Sequence, residues 1–198
     1  MLPLLLLSTA LAAQAINLPR QDSEVSGGQP VYIACVLDTK IPSLTESVAV
    51  NVTSREECSS SCSTSWDLAF YRQDTSECYC SPSGDAPTPD EVVYATDDLG
   101  NCRSQDDASV EYLHSSYALQ TCKIPPITTP SSTSLSTSSI GCLGSCPNGT
   151  QSISVRPEYD GTTDKFQYEC GCYDSPADQI EGQKTDCGFG INAIYSQV

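Results

Sequence analysis

Thr53-Ser54-Arg55-Glu56-Glu57-Cys58-Ser59-Ser60-Ser61-Cys62, followed fifteen residues later by Glu77-Cys78-Tyr79-Cys80, decides how this chain folds. Ser/Thr-x-x-Glu occurs there in two registers, Thr53 to Glu56 and Ser54 to Glu57, and such a capping box starts a helix. Cys58 and Cys62 then lie one turn apart on a single helical face. Leu68-Ala69-Phe70-Tyr71 reads as a strand, Gln73-Asp74-Thr75-Ser76 as a turn, and Glu77 to Cys80 as the return strand. Side chains at i and i+2 of a strand point to the same side. Geometry therefore favours two parallel bridges, from Cys58 and Cys62 to Cys78 and Cys80, which leaves Cys35 for Cys102. An antiparallel sheet pinned to one short helix makes this a small disulfide-rich α+β unit.

The same spacing returns downstream as Cys142-x3-Cys146, 23 residues, Cys170-x-Cys172, 14 residues and Cys187, with Cys122 ahead of it. Both copies are preceded by Lys-Ile-Pro, at 40–42 and 123–125, and duplication is the simplest explanation. Asp160-Gly161 is a turn dipeptide, and Phe166 to Tyr173 alternates as a half-buried strand does. Gly141, Gly144 and Pro147 make the second Cys-x3-Cys a poor helix former, so the second copy reads as degenerate. The expected organisation is a signal peptide at 1–15, a cysteine-rich unit at 31–114, a Ser/Thr/Pro-rich linker at 124–140 and a degenerate repeat at 141–198. Such a linker buries too little apolar surface to order itself and suits O-glycosylation. Cys122 fits the end of the first unit or the start of the second.

Leu2 to Ala12 is a short apolar run before Ala13-Gln14-Ala15, a small-x-small cleavage pattern. The run is too short to span a bilayer, and the stretch before Val198 resembles no lipid-anchor tail. Export predicts an oxidising compartment, in which twelve cysteines form disulfides. The metal alternative is weak, because zinc pairs are usually Cys-x2-Cys with histidine partners and His114 is the only histidine. A formal charge of −16, from 25 acids against 9 bases, disfavours nucleic acid and anionic lipid.

The first copy resembles the WSC domain, a module of fungal cell-wall proteins, wall sensors and other extracellular proteins. The residues that carry the resemblance are Tyr32-Ile33-Ala34-Cys35, Thr53 to Cys62 and Glu77-Cys78-Tyr79-Cys80-Ser81, within 31–114. The apple/PAN fold, a helix packed on an antiparallel sheet, is a close competitor. WSC domains usually carry eight cysteines, whereas one unit here owns six, and the closing Cys-Gly-Gly segment is blurred around Cys102. The resemblance implies binding of wall polysaccharide.

Catalysis has little support, since a lone His114 builds no triad and scattered acids define no cleft. No cofactor is implied. Asp97 to Asn101 lacks the ligand spacing of a calcium loop. Aromatic rings are the credible binding groups, because sugar C–H faces stack on them. Tyr79 must face away from the disulfides, Trp66 and Tyr71 flank its hairpin, and Tyr168 and Tyr173 bracket the equivalent strand. Asn51-Val52-Thr53 and Asn148-Gly149-Thr150 are glycosylation sequons. The resulting expectation is a secreted, non-catalytic protein of the cell wall or extracellular space that binds β-glucan or a similar polysaccharide. The alternative is a secreted effector or apple-type module whose partner is an extracellular protein.

Overall fold

The computed structural model describes residues 28–42, 48–97 and 100–198, with only the backbone of 48–51. The expected signal segment lies outside these residues, as does the side chain of Asn51.

The first copy runs β1 (Gln29–Val36), β2 (Val48–Asn51), α1 (Arg55–Cys62), β3 (Leu68–Arg72), β4 (Glu77–Ser81), β5 (Val92–Val93) and β6 (Ala108–Ser115). The second runs β7 (Tyr117–Ile124), β8 (Ser132–Ser136), α2 (Ser139–Leu143), β9 (Ser152–Asp160), β10 (Lys165–Tyr173), β11 (Gln183–Thr185) and β12 (Asn192–Gln197). Each copy forms one antiparallel sheet, in the order β2-β4-β3-β6-β1-β5 for the first and β8-β10-β9-β12-β7-β11 for the second. Element for element, these are the same order. Even an irregularity is repeated. β1 carries an extra residue between Tyr32 and Ala34, opposite Glu111 and Val110. β7 carries one between Leu119 and Thr121, opposite Tyr195 and Ile194.

The disulfides repeat as well. Cys35–Cys102, Cys58–Cys78 and Cys62–Cys80 close the first copy. Cys122–Cys187, Cys142–Cys170 and Cys146–Cys172 close the second. Cα separations of 5.2 to 5.7 Å suit unforced bridges. Cys58, Cys62 and Cys78 lie close enough to suggest a metal cluster, but their sulfurs are consumed in S–S bonds. No cysteine is free. Bridges of this span contribute about 3 kcal/mol each in the chain-entropy model.

Two expectations need correction. The second copy begins at Tyr117 rather than 141, with Ser116 alone between the sheets, and Cys122, which fitted either unit, is bridged within it. The tract read as an unordered spacer instead contains β8, paired with β10 from Tyr168↔Ser136 to Cys172↔Ser132. An edge strand needs backbone partners on one side only and tolerates polar side chains, so a Ser/Thr run meets its requirements. The second helix is shorter, as its glycines suggest; Ser138 caps it by accepting from the Gly141 amide, and Cys146 lies past its end.

The copies are not independent. One core joins Val31, Val36, Leu68, Phe70 and Val110 of the first to Leu143, Ile153, Val155, Tyr168 and Tyr195 of the second. The Tyr195 hydroxyl donates to the Tyr32 carbonyl at 3.1 Å, and the Tyr168 hydroxyl to that of Pro87 at 3.0 Å. Strand parity shows which faces meet. Leu68, Phe70 and Val110 lie on the side of the first sheet away from α1, whereas Ile153, Val155 and Tyr195 share the α2 side with Cys170 and Cys172. The contact is therefore head to tail, between unlike faces.

Such heterologous stacking continues indefinitely unless its free ends differ from its buried ones, and here both ends do. The registers equate Leu68, Phe70 and Tyr112 of the buried first-copy face with Ser152, Ser154 and Ser196 on the outer second-copy face. They likewise equate Ile153, Val155, Ala193 and Tyr195 of the buried second-copy face with Ala69, Tyr71, Ser109 and Glu111 on the outer first-copy face. At these positions the duplicated sequence is apolar where the copies meet and mostly polar on the opposite faces, which α1 closes in the first copy and the loop carrying Ala177 and Ile180 closes in the second.

Candidate functional site

The outer face of the first copy is equivalent to the second-copy sheet surface that packs against the first copy. α1 crosses it above a small core of Cys58, Cys62, Ala69, Cys78, Cys80 and Leu113, against which Trp66 and Tyr71 pack. Of the two capping registers, the structure uses the second. Ser54 accepts from the Glu57 amide at 3.2 Å, and Glu57 reaches back to the Thr53 amide at 2.7 Å. The Thr53 amide and hydroxyl, both donating to it, hold the Glu57 carboxyl below the usual carboxylate range. Ser54→Ala removes an N-cap and is expected to cost about 1 kcal/mol in thermal or denaturant unfolding.

Beneath the first turn lies a charged cluster. The Arg55 Nε is 3.2 Å from a Glu111 oxygen, and the Ser59 hydroxyl donates to the other. Glu111 is 8% exposed, and burial pushes its carboxyl up, opposed by the Ser59 hydrogen bond and the Arg55 charge. Arg55 Nη1 is buried without a hydrogen-bond partner among the described residues. The Tyr32 ring closes the floor under Gly100, whose φ is +92° and where a Cβ would stand 2.3 Å from the ring. Only glycine fits there.

Two clefts flank α1. One, of about 220 Å³, is lined by Thr53, Ser54, Arg55, Tyr71, Gln73, Asn101 and Asp107, among others. The other, about 810 Å³ and more open, lies between α1, Pro30 and the Glu111-Leu113-His114 edge of β6. The His114 ring reaches the Trp66 carbonyl at 3.0 Å, which fixes it to the loop after α1. The first cleft sets one aromatic ring among amide, hydroxyl and carboxylate groups. The Asp97 carboxylate beside it accepts from the Asn101 amide and side chain, at 3.1 and 2.7 Å.

The five aromatic residues expected to bind are dispersed. Tyr71 and Trp66 come together on the α1 side, both half-buried. Tyr79 does point away from the disulfides, but that side is the interior one, where it packs against the shared core and donates to Glu77 at 2.9 Å. Tyr168 and Tyr173 are 1% and 2% exposed and present no ring face to a ligand. Tyr168 shares the parity of Cys170 and so faces the first copy. Tyr173 faces the other way and is covered by Ala177 and Ile180. Both are core residues, a correction to the sequence reading. Asn148 stands exposed in a turn, accessible to a glycan.

Sequence reasoning passed over Arg55, Ser59, Gln73, Asp107 and Glu111. One signal was available. Glu111 interrupts the apolar Val110-Glu111-Tyr112-Leu113 strand at a position where the second copy has Tyr195.

Comparison with protein-family models, curated proteins and solved structures finds no match for this chain.

Proposed function

We propose that this is a secreted, non-catalytic carbohydrate-binding protein of the cell wall or extracellular space, with its ligand seat on the open α1 face of the first copy. One observation carries the reading. The sheet face that the second copy fills with Ile153, Val155 and Tyr195 has no second sheet against it in the first, where α1 alone crosses it and Tyr71, Ser109 and Glu111 stand at the equivalent positions beside a cleft. A face maintained as polar and concave next to an aromatic ring suits a polyhydroxylated ligand. Tyr71 stacks on a pyranose face, while Gln73, Asn101 and Asp107 exchange hydrogen bonds with its hydroxyls.

The resemblance of residues 31–114 to WSC domains points the same way, toward β-glucan or a similar wall polysaccharide. Glu111 is engaged by Arg55 and Ser59, so it serves as a positioning group beneath the helix rather than as a free acid. Six disulfides suit an extracellular setting.

The test is retention of the purified protein on insoluble glucan, chitin and mannan. Binding to one polymer is expected, with Tyr71→Ala weakening it about tenfold, the upper range for one stacked ring. No retention on any polymer, or equal retention by the variant, overturns the reading.

A further inference from the structure

The end of the β9–β10 hairpin carries three aromatic rings that the carbohydrate reading does not use. Tyr159 and Phe166 face each other across the ladder, with centroids 5.0 Å apart, and Phe189 meets Phe166 at 6.0 Å. Tyr159 and Phe166 are 47% and 48% exposed, and Phe189 is half-buried. The strand parity of Tyr159 and Phe166 is that of Val155, Tyr168 and Cys170, so the patch continues the apolar face that the first copy covers elsewhere. Phe189 sits on a braced loop. Cys187 before it is bridged to Cys122, and the Gly190 amide after it donates to the Pro157 carbonyl at 2.8 Å. A monomeric protein rarely leaves such a cluster uncovered without a use.

Two features specify the occupant. The rings are inclined to one another by 51° and 66°. They are not coplanar and so do not pave the flat surface that stacking along a polysaccharide ribbon would require. The rim is acidic. The Tyr159 hydroxyl donates to Asp164, and the Thr163 hydroxyl donates to Asp160 at 2.7 Å. The Thr163 and Thr162 bonds hold the Asp160 carboxyl below its usual range, so it remains charged. Arg156 on the adjoining strand is occupied at 2.7 Å by both Glu158 and Glu169, and Lys165 is the remaining cation of the hairpin.

The chain satisfies a similar arrangement with its own arginine nearby. Arg103 lies over the Tyr94 ring at 5.2 Å and reaches Asp186 at 3.6 Å, three residues before Phe189. Among the described residues, the hairpin patch has the rings and the carboxylates without the guanidinium.

We infer that the Tyr159–Phe166–Phe189 patch docks an arginine-bearing segment of an extracellular protein, seating a guanidinium against the rings while Asp160 and Asp164 receive its N–H groups. This inference is independent of the carbohydrate site, since Tyr71 belongs to the other copy.

The test titrates the full-length protein with a labelled Arg-Gly-Arg-Gly-Arg peptide, its lysine counterpart and a Glu-Gly-Glu control. Phe166→Ala preserves the −16 charge, so it separates ring contact from general attraction to an acidic protein. Arginine peptide binding is expected to weaken about fivefold in Phe166→Ala, the scale of one cation–π contact, with the lysine peptide weaker throughout and the glutamate control silent. Tyr71→Ala is expected to leave peptide binding unchanged. Equal peptide affinity in Phe166→Ala overturns the inference, because attraction would then be charge alone. Retention on a neutral polysaccharide that falls in Phe166→Ala but not in Tyr71→Ala also overturns it, by assigning the patch to sugar stacking. An unchanged disulfide map and melting temperature for Phe166→Ala confirm that the variant folds.

Discussion

Phe70→Ala is expected to destabilise the whole molecule by about 3–5 kcal/mol, the cost of emptying a fully buried aromatic position. For a chain of this size that corresponds to a loss of roughly 10 °C in melting temperature. The ring is 1% exposed and belongs to the core shared by both copies. The loss should therefore appear in both halves together. Trp66, the only tryptophan, reports on the first copy, and tyrosine signals from Tyr168 and Tyr195 report on the second. Coincident shifts of both probes are expected. A shift confined to Trp66 would mean that the copies fold separately.

The second large effect concerns Glu111. Glu111→Ala leaves the Arg55 guanidinium without its partner in a poorly solvated position, at an expected cost of about 3 kcal/mol, measurable by denaturant unfolding. Arg55 retains some exposure at 19%, which keeps the value toward the lower end of the range for buried pairs. The pH dependence has a distinctive sign. Burial raises the folded-state pKa of Glu111 above its ordinary 4.5. Its favourable contribution is then fully present below that value and is lost as pH rises through the raised one. Glu56 and Glu57, whose carboxyls are lowered by hydrogen bonds at the helix start, act in the opposite sense and lose their contribution as pH falls. Comparing wild type with Glu111→Gln isolates the first component. The stability difference, wild type minus variant, should decline as pH rises from 4.5.

Those two residues also explain how the repeat divides its labour. Phe70 and its counterpart Ser154 differ because one faces the partner copy and the other lies on the opposite side of its sheet, beside the Tyr173 hydroxyl. Glu111 and Tyr195 differ for the converse reason.

The cysteine framework was legible because i, i+4 on a helix and i, i+2 on a strand each confine sulfurs to one side. The helix start was legible for the same kind of reason, a local pattern, although the choice between its two registers was not. The start of the second copy was harder. Tyr117-Ala118-Leu119-Gln120-Thr121-Cys122 has a strand pattern, but only pairing with β12 and β11 shows which sheet it joins. β8 was hidden by composition, since an edge strand leaves no apolar trace. Tyr168 and Tyr173 were misread because alternation gives parity without saying which side is covered. Here both sides are, one by the first copy and the other by the loop around Ile180. Glu111 gained its meaning only by alignment with Tyr195, which required both registers.

The two copies share one core through unlike faces, so that only the first copy presents its helix-bearing side. Native-state hydrogen exchange of the oxidised protein measures this directly, amide by amide. The predicted result is one common opening free energy for the central amides of β3 and β6 and those of β9 and β12, all lowered together in Phe70→Ala. Two well-separated opening energies, with the second copy unaffected by that substitution, would contradict it.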